Sequence, residues 1–195
     1  MKFCSDCGQS LVRRIPLGDD RLRDICEHCN TVHYQNPRVV AGCILHHEGR
    51  ILLCRRDIEP RRGYWSIPAG FLENGESALE GAAREAREEA FAEAVALRLF
   101  GVFTLPKLNQ LYIVYSGELH NGYCKAGAET MEVGLFDAEE TPCDEMAFQL
   151  VAKFIADYWA DKAAGRNRVY HADVVSDPGK DIELIEHPFA VFDNK

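Results

Sequence analysis

The chain has 195 residues, of which 47% are hydrophobic and 27% charged, an ordinary composition for a globular protein able to bury a core. Its 22 lysines and arginines against 31 aspartates and glutamates give a formal charge of -9, which argues against a nonspecific polyanion binder such as a nucleic-acid protein. A small anionic substrate would need local help, most simply from a metal ion. No run of about 18 apolar residues occurs, and Met1-Lys2-Phe3-Cys4 lacks the apolar stretch of a signal peptide, so a cytoplasmic location with no membrane partner is expected.

The first element is a cysteine module. Four of the eight cysteines are paired as Cys4-x-x-Cys7 and Cys26-x-x-Cys29, and the 18 residues between the pairs form a loop of ribbon size. Tetrahedral zinc takes four thiolates from two such turns. Gly8 and Asn30 follow the second cysteine of each pair, and both tolerate the left-handed backbone that metal-binding turns use. Four thiolates leave no open position, so this Zn2+ would be structural. Residues 1–36 are too few to hold together by apolar burial, and the metal would supply their folding energy. Within the module Lys2, Arg13, Arg14, Arg21 and Arg23 are balanced one for one by Asp6, Asp19, Asp20, Asp24 and Glu27. That balance favours packing, and a homodimer, over nucleic acid. The scattered Cys43, Cys54, Cys124 and Cys143 read as reduced core thiols.

The composition changes at Gln35-Asn36-Pro37, the expected boundary of a larger unit over 37–165. Val39 to Leu45 and Arg50 to Cys54 read as strands joined by His46-His47-Glu48-Gly49. Ser77 to about Ala92 reads as a helix rich in Ala, Glu and Arg. Leu111 to Leu119 and Glu132 to Phe136 are later strands, and apolar residues at helical spacing place a second helix over Asp144 to about Ala160. Strands and helices in this order predict a mixed α/β (α+β) sandwich. Residues 166–195, with Asp177-Pro178-Gly179, read as an irregular tail.

The densest chemistry runs from Gly70 to Ala92. Ser77 and Glu80 have the spacing of a capping box after the Asn74-Gly75 turn. Glu85, Glu88 and Glu89 then stand at i, i+3 and i+4, within an arc of roughly 100°. Three anions so close repel one another unless a cation lies between them. Leu79, Ala82, Ala83, Ala86 and Ala90 form the stripe expected to face the core, with Glu89 at its edge. A solvated charged face with Arg84 and Arg87 as partners is the competing reading.

The spacing Gly70-x5-Glu76-x7-Arg84-Glu85-Ala86-x-Glu88-Glu89 resembles the Nudix box, and with Trp65-Ser-Ile-Pro68 and the strand order the resemblance reaches about residues 37–160. Phe91 departs from it by occupying the usual glycine position. The resemblance implies a Nudix hydrolase with an α/β/α sandwich around a mixed sheet. It also implies Mg2+ or Mn2+ on Glu85, Glu88, Glu89 and the Gly70 carbonyl, Glu76 supporting the loop, and Arg84 orienting the glutamates. The general base would be a box glutamate or a later carboxylate, Glu129 or Glu132. His33-Tyr34-Gln35-Asn36-Pro37, Cys54-Arg55-Arg56 and Gly63-Tyr64-Trp65 look more like the ribbon-bearing enzymes that cleave ADP-ribose or FAD. The Ser-Gln-Pro-Trp-Pro-Phe-Pro signature of NADH diphosphatases is absent, and Thr104 to Gln110 stands there instead. Arg55 and Arg56 are candidates for phosphate contact, Tyr64 and Trp65 for base stacking. The alternatives are a nucleoside triphosphate sanitising or RNA decapping enzyme, and a nucleotide sensor that cleaves nothing.

Overall fold

The computed structural model describes residues 1–175 and 183–187, so Asp177-Pro178-Gly179 lies outside the described residues. It divides into two compact units, 1–37 and 38–195.

In the first unit β1 (Val12–Arg14), β2 (Arg23–Ile25) and β3 (Val32–His33) form an antiparallel sheet in that order. Cys4, Ile25 and Cys26 are its buried residues, too little apolar area to stabilise about 37 residues alone. Gly8 (φ 74°) and Asn30 (φ 60°) both take the left-handed conformation that the two cysteine turns require.

The second unit is built on β4 (Arg38–His47), β5 (Arg50–Arg56), β6 (Trp65–Ser66), β7 (Ala69–Phe71), β8 (Ala94–Leu105), β9 (Gln110–Leu119), β10 (Thr130–Phe136), β11 (Tyr170–Val175) and β12 (Glu183–Glu186). The main path runs β10-β5-β4-β9-β8-β11-β12, with β6 on β5 and β7 on β4. The sheet is mixed, since β4 and β9 run parallel, as do β8 and β11. Glu48 (φ 47°) and Gly49 (φ 79°) make the tight turn between β4 and β5, the combination a two-residue hairpin needs.

Strand alternation then assigns the two faces. Ala41, Cys43, Leu45, Leu52 and Cys54 pack under Ala82, Ala86 and Ala90 of α1 (Ala78–Ala90). Ile44, Ile51, Leu53, Phe100 and Phe103 pack with Phe154, Ile155 and Tyr158 of α2 (Gln149–Ala163). The result is the α/β/α sandwich, with Cys43 and Cys54 as core thiols. Small alanines let α1 lie close to the sheet, whereas aromatic residues fill the wider α2 layer.

β8, for which the sequence set no expectation, carries no clean alternation, because Ala96 (φ 51°) sits in one of two register shifts against β9. Four sequence expectations are corrected. Of the four scattered cysteines expected in the core, Cys143 is exposed and Cys124 only half-buried. The second helix starts at Gln149 and not near Asp144, since Met146 bridges to Trp65 and the Ala147 N–H bonds the Trp65 carbonyl at 2.8 Å. Part of the expected irregular tail is sheet: β11 joins β8, and β12 joins β11. Leu79 is exposed, and Gly81 and Glu85 take buried places on α1 instead.

Candidate active site and metal centres

In the ribbon, the four Sγ atoms of Cys4, Cys7, Cys26 and Cys29 lie within 4.8 Å of one another and none is disulfide-bonded. Cys4 and Cys29 approach to 3.6 Å, Cys7 and Cys26 to 3.4 Å. Sulfurs about 2.3 Å from one tetrahedral ion would stand at nearly this separation, so the donor set fits zinc. Outside it, His33 Nε2 lies 3.3 Å from the Cys4 sulfur and the Thr31 hydroxyl 3.2 Å from that of Cys29. Such contacts hold ligand side chains in place.

The second site begins at β7, which pairs with β4 and leads through the Asn74-Gly75 turn into α1. Ser77 caps α1, and both hydrogen bonds of the capping box with Glu80 are present. Phe91 ends the helix in the left-handed conformation (φ 47°), its N–H bonding the carbonyls of Ala86 and Arg87. The exit turn expected to want glycine is therefore made by a phenylalanine, and Lys125 covers its ring.

Arg84 organises the carboxylates. Its guanidinium grips Glu76 through Nε at 3.0 Å and Nη2 at 2.8 Å, and Nη1 reaches Glu85 at 2.7 Å and Glu88 at 2.9 Å. Nη2 also meets the Phe71 carbonyl at 3.1 Å. The Arg84 hydrogen bonds hold Glu76 down at about 2. Burial pushes Glu85 upward despite Arg84. Glu89 is driven up to about 8, first by burial and then by the negative charge of Glu85, although the Ala69 N–H bonds it. Gly70 is where the loop passes Glu85: a Cβ there would stand 2.2 Å from Oε1.

A later loop folds back on the end of α1. The Lys125 N–H bonds the Ala90 carbonyl at 2.8 Å, and the Gly127 N–H bonds that of Glu89 at 2.9 Å. This brings Glu129 to the wall of a cavity of about 1320 Å³ that Gly70, Glu85, Glu88 and Glu89 also line. That volume exceeds an ordinary small-ligand pocket. Glu132 is absent from the wall and pairs with Arg55 at 3.4 Å.

Of the four expected substrate contacts, Arg56 alone lines the cavity. Trp65 is a core residue, edge-on to Phe136. Arg55 lies over the Trp65 ring and donates to the Gly63 carbonyl at 2.9 Å, and Tyr64 lies beneath Arg61. Strand alternation explains this, since Arg55 and Arg56 must point to opposite faces of β5. Arg61, Phe71, Tyr112 and Phe148 line the cavity without having been singled out from sequence. The alternation of β9 could have flagged Tyr112, but nothing local shows which face of a strand meets the cavity.

Family comparisons agree with this geometry. The zinc-ribbon model described as Nudix N-terminal matches residues 2–35, and the NUDIX domain model matches residues 36–158. The ADP-ribose pyrophosphatase of Methanocaldococcus jannaschii is 32% identical over 129 residues, covering 64% of this chain and 75% of that protein. The NAD-capped RNA hydrolase NudC of Vibrio vulnificus is 30% identical over 145 residues; the match takes in 73% of this chain and 53% of that protein, about half its length. A solved NUDIX hydrolase from Nitrosomonas europaea superposes with a TM-score of 0.84 at 41% identity, over 89% of this chain and 99% of that one. The box read from sequence is thus carried by the matching fold, and the chain belongs to the Nudix hydrolases with an N-terminal zinc ribbon.

Proposed function

We propose that the chain hydrolyses the diphosphate linkage of a nucleoside diphosphate joined to a second group, ADP-ribose or FAD, in a magnesium- or manganese-dependent reaction. The observation that carries this reading is the convergence of Glu85, Glu88 and Glu89 on one cavity wall, with Arg56 and Arg61 also lining that cavity. The donor chemistry fits the cation: carboxylates and a Gly70 carbonyl are hard oxygen ligands, and burial first, with a neighbouring carboxylate second at Glu89, raises Glu85 and Glu89, a penalty on the charged forms that a bound cation would relieve. A divalent ion bound there supplies charge neutralisation for the diphosphate and acidifies water.

The protein's own residues do the rest. Arg84 holds Glu85 and Glu88 side by side, and Glu76 holds Arg84. Arg56 and Arg61 are the residues to grip phosphate oxygens. Tyr112 and Phe148, which line the cavity, are the aromatic residues assigned to pack against the nucleobase. Between the two later carboxylates, Glu129 is the one we assign to take a proton from the attacking water, a reading supported by its place on the cavity wall, from which Glu132, paired with Arg55, is absent.

The test is a panel of ADP-ribose, FAD, NADH, coenzyme A and nucleoside triphosphates with magnesium. AMP together with ribose 5-phosphate or FMN is the expected product set. Pyrophosphate released from triphosphates, with ADP-ribose and FAD untouched, would overturn the substrate. NADH belongs in the panel because relatives such as the Vibrio vulnificus protein are named for NAD-capped RNA.

The reading includes a cytoplasmic homodimer. Among the described residues no helix is long and apolar enough to cross a membrane. The charge-balanced ribbon exposes Phe3, Ile15, Leu17, Leu22 and Tyr34, a surface suited to a second protein copy. Light scattering of Leu17→Asp should report a monomer if the ribbon joins the copies.

A further inference from the structure

Ser66 lines the carboxylate cavity from β6, between Trp65 and Ile67. Those two neighbours belong to the core layer that packs on α2, so strand alternation sends the Ser66 side chain to the other face, opposite Cys54 on β5. Ser66 is only 6% exposed, and its hydroxyl has no hydrogen-bond partner among the described residues. A buried hydroxyl in that state is costly, and native proteins seldom keep one without a reason. Alanine would fill the same space without the penalty.

The hydroxyl is open to the cavity. Among the described residues, the side-chain atoms sealed from solvent without a partner are His46 Nδ1, Asp157 Oδ2 and Tyr158 Oη. Ser66 Oγ is not one of them, so the part of the residue left open includes its oxygen, and the hydroxyl hydrogen is available to a molecule in the cavity. The neighbours of Ser66 indicate which molecule that is. Its segment begins where the Arg56 N–H bonds the Tyr64 carbonyl at 2.9 Å, and ends where the Ala69 N–H bonds Glu89 and Gly70 passes Glu85. Ser66 thus stands between the arginine and the carboxylates that line the same cavity. Across the strand pair, the Cys54 thiol opposite Ser66 is pushed up first by burial and then by the Glu89 charge, which places that carboxylate near the pair. An oxyanion reaching from Arg56 to a cation on Glu89 passes this point.

We propose that Ser66 is a further catalytic residue, whose Oγ–H donates to a non-bridging oxygen of the substrate diphosphate between Arg56 and the carboxylates. This assignment rests on the hydrolysis proposed above. A hydrogen bond to a charged oxygen is of the strong kind, and a donor already held in place by a strand needs no reorganisation as charge shifts during cleavage. Ser66 keeps its proton throughout. Water supplies the new P–O bond, the bridging P–O bond breaks with its electron pair going to the leaving phosphate, and the water proton passes to the base.

The test compares Ser66→Ala with the parent in the full chain. The measurements are kcat and KM on the substrate panel with magnesium, affinity for magnesium pyrophosphate by calorimetry, and melting temperature without ligand. Loss of a donor to a charged oxygen is expected to lower kcat/KM roughly 10- to 100-fold on whichever diphosphate the parent cleaves, and pyrophosphate affinity about tenfold. The variant should melt no lower than the parent, because the hydroxyl bonds nothing in the unliganded fold. The proposal is overturned if Ser66→Ala leaves both kcat/KM and pyrophosphate affinity unchanged, or if the parent does not bind pyrophosphate. It is equally overturned if activity falls together with the melting temperature while pyrophosphate affinity is kept, since the hydroxyl would then serve the fold. If the parent cleaves nothing in the panel, the hydrolysis reading fails, and pyrophosphate affinity still decides the role of Ser66.

Discussion

Glu89 carries the sharpest conflict in the molecule between folding and chemistry. It sits against Ala69 and Glu85, where burial and a like charge drive its carboxyl up to about 8. Glu89→Gln removes both penalties and keeps the volume. It is expected to lower turnover at least about 100-fold, more than the loss of a group that merely supports a ligand. The magnesium-free protein should melt no lower than the parent, and a lower melting temperature would show that the carboxylate stabilises the fold. Phe91 presents the opposite case, a residue in a conformation that favours glycine. Left-handed backbone costs a side-chain-bearing residue about 1–2 kcal/mol, and the Lys125 contact with the ring returns roughly 0.5–1. Phe91→Gly should raise stability by about 0.5 kcal/mol in urea unfolding, with activity kept.

Between residues and the whole fold, the decisive contacts are those that press one element against the next. Gly127 lies so near the Glu88 carbonyl that a Cβ would stand 1.8 Å from it. Gly127→Ala must therefore displace the loop from α1, and with it Glu129. The expected cost is about 2 kcal/mol by analogy with overpacked cores, and activity should fall along with it. A variant as stable and active as the parent would show that the loop is free to move. At the other helix, Asp161 ties the end of α2 to Arg166, Arg168 and Tyr170. Burial would raise its carboxyl, but hydrogen bonds from Tyr170, Arg166 and Arg168 outweigh this and hold it below the usual range. A lowered folded value stabilises the protein above the unfolded value near 4, and that contribution is lost as pH falls through the folded value. Asp161→Asn should cost about 2 kcal/mol at pH 7, less than a fully buried pair because both arginines are half-exposed. The difference from the parent should narrow below about pH 4.

At the scale of the molecule, the two units rely on different sources of stability. The larger has two apolar layers about its sheet, whereas the ribbon buries little besides Cys4, Ile25 and Cys26. Cys26→Ser should release one zinc per chain and erase amide protection over residues 1–37. Protection in β4, β5 and β9 should survive. Loss of order in both units would show that the ribbon is needed for the larger fold. Magnesium removal should stop turnover and leave the zinc in place, because hard carboxylates and soft thiolates select different ions.

The features legible in the chain itself are those set by local spacing. Two CxxC pairs followed by Gly8 and Asn30, a capping box at Ser77, and carboxylates at 85, 88 and 89 each depend on residues a few positions apart, where helix and turn geometry is the same in any protein. The strands of the β4 hairpin could be read because their apolar runs end in a turn that Glu48-Gly49 can make. What required the tertiary structure is everything decided by distant partners. The bulged β8 has meaning only against β9, and Tyr170 to Val175 become a strand only because β8 offers a parallel edge. Arg55 and Arg56 are equal in sequence, but the pleat sends one to Glu132 and the other to the cavity. The orphan hydroxyl of Tyr158 is invisible to any periodicity, since a polar group lacks a partner only once packing has excluded water from it.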